Sequence, residues 1–188
     1  MRKYSETLLK SVLDLSNSKD WSIAVQEWEV EDCIEDEELE SSCVCGKENL
    51  KYLFTIRNKE NGNELFPIGS VCIKKFERSD LSELVDIKES LFKLMHALKD
   101  KEYITLDSEY FSRKLLHYLY NQNAFKSNQY NNYEPYNDYE FMLKMFNKKN
   151  KDEITINQQR KINGIIRFSI IPYLELTLSG KQLRKSKL

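Results

Sequence analysis

The sequence predicts an α+β protein, an N-terminal β-hairpin with a zinc knuckle followed by a helical C-terminal region. Three observations predict it. Tyr52-Leu53-Phe54-Thr55-Ile56 and Leu65-Phe66-Pro67-Ile68 flank an Asn61-Gly62 turn signal, which reads as strand, turn, strand. Cysteines stand at both ends of that hairpin, in Cys43-Val44-Cys45-Gly46 and in Gly69-Ser70-Val71-Cys72. From Ser79 onward the apolar residues recur at helical spacing.

The elements follow in order. Residues 5–16 read as a first helix, with Ser5 as its cap and Leu8, Leu9, Val12, Leu13 and Leu15 on one side. Residues 22–30 read as a strand carrying Ile23, Val25, Trp28 and Val30. An acidic loop follows, then the knuckles and hairpin. Asp80-Leu81-Ser82-Glu83 fits a capping box opening a helix with Leu84, Ile87, Leu91, Leu94, Met95 and Leu98. A helix over 107–121 carries Phe111, Leu115, Tyr118 and Leu119, and 126–136 reads as a polar loop rich in Asn and Tyr. Asn137-Asp138-Tyr139-Glu140 fits a second capping box, and Asn157 caps a last helix that Pro172 kinks or ends. The tail from Gly180 is basic and reads as frayed. The expected division is 1–78, the knuckle unit with its N-terminal helix, and 79–188, the helical region.

The cysteines carry the clearest chemistry. A hairpin returns Cys72 to Cys43 and Cys45, and zinc takes about four such ligands in a tetrahedron. Cys33 is the expected fourth ligand; His96, His117, an acidic-loop carboxylate and water compete with it. The knuckles are C-x-C and a single cysteine, not the paired C-x-x-C of most zinc ribbons. The plain alternative is four buried thiols packed as small hydrophobes. A reducing cytoplasm disfavours disulfides.

The 188 residues carry a net charge of -1 that hides a polarity. Nine acidic residues and no basic one lie between Glu27 and Glu40, whereas eleven Lys or Arg and three acids follow Phe141. The basic half points to nucleic acid, RNA or single strands above all. The expected phosphate contacts are Lys74, Lys75 and Arg78 beside the second knuckle, then Lys144, Lys148, Lys149, Lys151, Arg160, Lys161 and Arg167. Tyr133 and Tyr136, within the run Tyr130 to Tyr139, are the expected stacking groups, with the interleaved asparagines reading base edges. A structured loop packed on the helices is the competing reading of the tyrosines. The acidic run suggests a second class of function, an inhibitor that imitates a phosphate backbone and binds a nucleic-acid enzyme directly. No P-loop, G-x-S-x-G or H-E-x-x-H pattern occurs, so no enzyme is expected. No apolar run spans a membrane and the N-terminus is amphipathic, so the expected location is the cytoplasm.

Glu27-Trp28, Cys43-x-Cys45-Gly46, Ile56-x-Asn58 and Gly69-Ser70-x-Cys72-Ile73-x-x-Phe76 together resemble a family of small zinc-knuckle proteins of bacteriophages and mobile elements. Asp138-Tyr139-Glu140-Phe141-Met142-Leu143, with Ile154-Thr155 and Gln158, resembles the helix pair that often follows such knuckles. The resemblance spans residues 27–170. It implies Cys43, Cys45 and Cys72 as ligands and does not extend to Cys33. It also implies a phage protein acting in a host cytoplasm, with an anti-CRISPR or similar block on a host defence complex as the expected role.

Overall fold

The computed structural model of the protein describes residues 3–177, with side chains from Glu6 onward. The basic tail from Gly180, and the side chain of Ser5, lie outside the described residues. The protein is α+β. Helix α1 (Lys3–Leu15) and the short α2 (Trp21–Ala24) precede the strands β1 (Trp28–Glu35), β2 (Tyr52–Asn58) and β3 (Glu64–Ile68). The strands form one antiparallel sheet in the order β1-β2-β3. Then come α3 (Ser70–Lys74), α4 (Ser79–Lys99), α5 (Arg113–Asn121), α6 (Pro135–Asn147) and α7 (Ile156–Ile165). Two compact units divide inside α4, after Glu89, rather than near its start.

The first unit departs from expectation at its entry. Residues 22–30 are not one strand. The Asp20 carboxylate accepts from the Ser22 and Ile23 N–H groups and so starts α2; a 3-10 turn (Val25–Glu27) follows, and Ile23 is exposed. The strand begins at Trp28 and runs through Glu35, so half of the acidic run is an edge strand and not a loop. A bulge between Val30 and Asp32 shifts the phase of β1 by one residue. Trp28 and Cys33, which strict alternation would send to opposite faces, are both fully buried.

Hydrogen bonds fasten this entry. The Trp28 indole N–H donates to Ser16 Oγ at 2.8 Å, and that hydroxyl donates to the Val12 carbonyl at 2.8 Å. Glu27 is almost wholly buried and accepts from the N–H groups of Asn17 and Ser18, both at 2.8 Å, and from Asn58 Nδ2 at 2.6 Å. Arg78 donates to the carbonyls of Val25 at 3.0 Å and Trp28 at 2.5 Å, and pairs with Asp80. Trp21 meets Phe76 edge-on with centroids 5.5 Å apart.

Along the helices from α4 onward, three caps lie elsewhere than expected. α4 starts at Ser79, so Asp80 is inside its first turn and pairs with Arg78 instead of capping. α5 starts only at Arg113, capped by Ser112, while 107–110 form a bend and turn and 111–112 are irregular. α6 starts at Pro135, where the missing N–H costs nothing; Asp138 is buried inside the helix. The last helix is capped by Thr155, not Asn157, in a reciprocal box with Gln158. Pro172 does not end that helix. A π turn over Ile166–Ile170 precedes it, and helix continues over 171–177. The wider turn draws the backbone away from the proline ring, which has no N–H to satisfy.

Glu27 yields a pH prediction. Burial alone would raise its pKa. The bonds from Asn58, Ser18 and Asn17, with the Lys19 charge nearby, more than reverse this and hold it below its ordinary 4.5. A depressed carboxylate stabilises the fold above its unfolded pKa, and that contribution is lost as pH falls through the folded one. Glu27→Gln should therefore cost roughly 1.5–3 kcal/mol at neutral pH, the value of hydrogen bonds to a charged group. The gap from the parent, measured by urea unfolding, should close as pH falls below 4.5. A gap independent of pH would show that the charge does not matter.

Candidate functional site

The tip of the β1–β2 hairpin builds the first knuckle. Past Glu35 the two arms stay joined: Asp36 N–H donates to the Lys51 carbonyl at 2.8 Å, and Leu50 N–H to that of Ser41 at 3.0 Å. The chain then folds tightly, with Cys43 N–H donating to the Lys47 carbonyl at 2.8 Å and Gly46 N–H to that of Cys43 at 2.7 Å. Gly46 takes φ +89°, a conformation that strains any side-chain-bearing residue. Val44 N–H donates to the Pro67 carbonyl at 2.9 Å and ties the knuckle to the end of β3. One residue after β3, Gly69 leads into α3, which packs on β2 and carries Cys72.

The three sulfurs converge. Those of Cys43, Cys45 and Cys72 all lie within 4.8 Å of one another, and all three residues are buried. Cys43 and Cys72 share a hydrogen bond at 3.7 Å. A tetrahedral ion with bonds of about 2.3 Å to sulfur sets its ligands ~3.8 Å apart, so the spacing fits zinc-type coordination. Gly69 N–H donates to Cys43 Sγ at 3.3 Å, the kind of outer contact that orients a metal thiolate. A side chain at position 69 would meet Leu50 Cδ2 at 3.1 Å, which keeps this approach close.

Electrostatics favour a thiolate here. The bond shared with Cys72 and the N–H groups of Cys45 and Gly69 outweigh burial and draw the Cys43 thiol down to about 5. The same shared bond, reinforced by burial, pushes Cys72 up. A dication would remove that conflict by binding all three sulfurs as thiolates.

The structure does not bring Cys33 to the group. Cys33 pairs in register with Phe54 within the sheet, and the bulge turns it into the core. Among the described residues no histidine, carboxylate or further cysteine joins the three. His117 instead contacts Asn121 and Tyr139 along α5 and α6.

Several of the expected phosphate contacts have partners of their own. Lys74 pairs with Asp86 at 2.7 Å. Arg78 braces the turn before β1 and is mostly buried. Lys148 donates to the Glu153 carbonyl at 2.6 Å. Lys151 donates to the carbonyls of Met145 at 2.9 Å and Phe146 at 2.7 Å, so it closes the C-terminal end of α6. Lys161 sits 3.1 Å from buried Asp138 and covers the Phe141 ring. Lys75, Lys144, Lys149, Arg160 and Arg167 are exposed, Arg167 lying over the Phe168 ring.

Three asparagines of the tyrosine loop, Asn128, Asn131 and Asn137, build the loop, whereas Asn132 is exposed. Asn128 caps a 3-10 turn reciprocally with Asn131. Buried Asn131 donates to the Lys126 carbonyl and to Asp138, both at 2.8 Å, and Asn137 donates to the Asn131 carbonyl at 2.9 Å. Asn132 and Tyr133 take left-handed φ of 56° and 61°. Tyr130 and Tyr133 are 80% and 72% exposed, whereas Tyr136, at 43%, lies against Tyr120 and Tyr139. The sequence reading favoured Tyr136 over Tyr130; the 3-10 turn that points Tyr130 outward has no signal beyond its capping asparagines.

Comparison with known proteins finds no matching family model, curated protein or solved structure. No helix of the described residues is long and apolar enough to cross a membrane.

The geometry makes a direct prediction. Replacing Cys43, Cys45 or Cys72 with Ser should abolish metal uptake and destabilise the first unit, because binding energy becomes folding energy in such sites. Cys33→Ser should leave metal content unchanged. Elemental analysis of protein purified reduced and without chelator decides between them; metal lost only in Cys33→Ser would overturn the assignment.

Proposed function

We propose that this is a non-enzymatic zinc-knuckle protein whose second unit binds nucleic acid, RNA or single strands in preference to duplex. The zinc part rests on the three-sulfur group, which matches zinc in ligand type, spacing and burial. In a site with no described fourth protein ligand, the ion clips the β1–β2 tip to the start of α3.

The nucleic-acid part rests on one observation above the others. Two tyrosines stand exposed on a loop that its own asparagines hold rigid. A rigid, exposed aromatic loses little entropy when a base stacks on it, and a stacked base contributes about 1–3 kcal/mol. Exposed Lys144, Lys149, Arg160 and Arg167 in the same unit supply phosphate contacts.

A second reading is favoured by one feature. Glu29 and Glu31 are displayed on an edge strand, and Glu38 and Glu40 stand exposed just beyond it. Such a fixed acidic edge suits an inhibitor that occupies the basic groove of a nucleic-acid enzyme, a host defence complex being the target the family resemblance implies.

Anisotropy titration with a labelled single-stranded RNA separates the readings. Tyr130→Ala with Tyr133→Ala should weaken binding by about 1–3 kcal/mol per stacked base without lowering thermal stability. Changing Lys144, Lys149, Arg160 and Arg167 to Glu should abolish binding. With four phosphates neutralised, the parent should lose about 50-fold in affinity between ~50 and ~200 mM salt. Lack of binding at low salt would favour the inhibitor, whose activity neutralisation of Glu38 and Glu40 should then destroy.

A further inference from the structure

The three-sulfur group opens on a cavity of about 530 Å³, which Cys43, Cys45 and Cys72 line together with Lys47, Glu48 and Lys75. Three of the four positions of a tetrahedral thiophilic ion are thereby accounted for. No fourth His, Cys, Asp or Glu donor reaches the group among the described residues. We propose that the fourth position is exchangeable and takes an external anionic thiolate, from a small-molecule thiol entering through this cavity. The proposal rests on the metal reading given above.

Three considerations select that ligand. An ion already held by three thiolates is softened toward a fourth sulfur over oxygen. Three thiolates on a dication leave a net charge of about -1, and a fourth makes about -2, which needs nearby cations in a partly buried site. Lys47 and Lys75 line the cavity and are exposed, so they are placed to balance that charge. The cavity is also large enough for a ligand of several heavy atoms, far beyond one water. Binding is a ligand exchange: the thiol gives up its proton to solvent, its sulfur bonds the metal, and a bound water leaves. Nothing is oxidised or reduced.

Cobalt(II) in place of zinc makes the site visible. The full chain is loaded with cobalt under a phosphine reductant, so that no other thiol competes, and titrated with reduced glutathione. Three sulfurs becoming four should raise the sulfur-to-cobalt charge-transfer band by about one third. Lys47→Glu with Lys75→Glu should keep cobalt bound and weaken the glutathione response at least tenfold. Failure to take up cobalt would sink the metal reading itself. Cobalt bound with a band that glutathione does not change would leave the metal reading standing and overturn this proposal. So would a response indifferent to the lysine changes, or a native mass spectrum showing a second chain bridged to the metal.

Discussion

The first unit depends on three sulfurs being held close together. Buried thiols within 4.8 Å of one another repel as soon as more than one ionises, so protein contacts alone do not favour the arrangement. The backbone nevertheless enforces it. The left-handed Gly46 and the Val44 bond to Pro67 fix the first knuckle, and Gly69 aims its N–H at Cys43. Structure directed at an unfavourable cluster makes sense when a cation joins it. An ion bound there would tie the β1–β2 tip to α3, which packs on β2.

What was legible in the sequence follows from the range of the interactions concerned. The hairpin and the convergence of Cys43, Cys45 and Cys72 were readable because a turn signal and two strands fix local geometry. The start of β1 was not. Ile23 and Val25 stand two apart as in a strand, but a side-chain cap from Asp20 is enough to turn the short stretch into helix. Cys33 failed as a ligand for a related reason. A single extra residue at the bulge reverses which face of β1 it occupies, and bulges leave little trace in composition.

The basic half shows a different limit. Charge density along the chain is legible in the sequence, but the partners that some of the cations take within the fold are not. Lys151 and Lys148 bond backbone carbonyls, and Lys161 meets an aspartate buried within α6. Each of these bonds joins residues that the turn at Lys148 or the contact of α7 with α6 brings together. The long stems of lysine and arginine also cover apolar surface, as Lys161 covers Phe141. Removing such a residue therefore disturbs packing as well as charge, and exposed cations report on binding more cleanly.

The acidic run has a physical role that requires no partner. β1 lies at the edge of the sheet, where unpaired backbone groups invite a strand from another chain. Carboxylates along that edge repel any acidic copy of the same strand. Two of them are answered within the sheet: Glu31 pairs with Arg57 at 3.3 Å, and Glu35 with Lys51 at 3.6 Å. The Glu31–Arg57 pair is exposed and adds little stability, but both pairs fit the observed register, which sets Glu29 opposite Arg57 and Glu35 opposite Tyr52. A phosphate mimic needs its charges free, and pairing across the strands takes part of the run out of use. That weighs toward the nucleic-acid reading, in which the acidic edge keeps copies of the chain apart and the second unit makes the contacts.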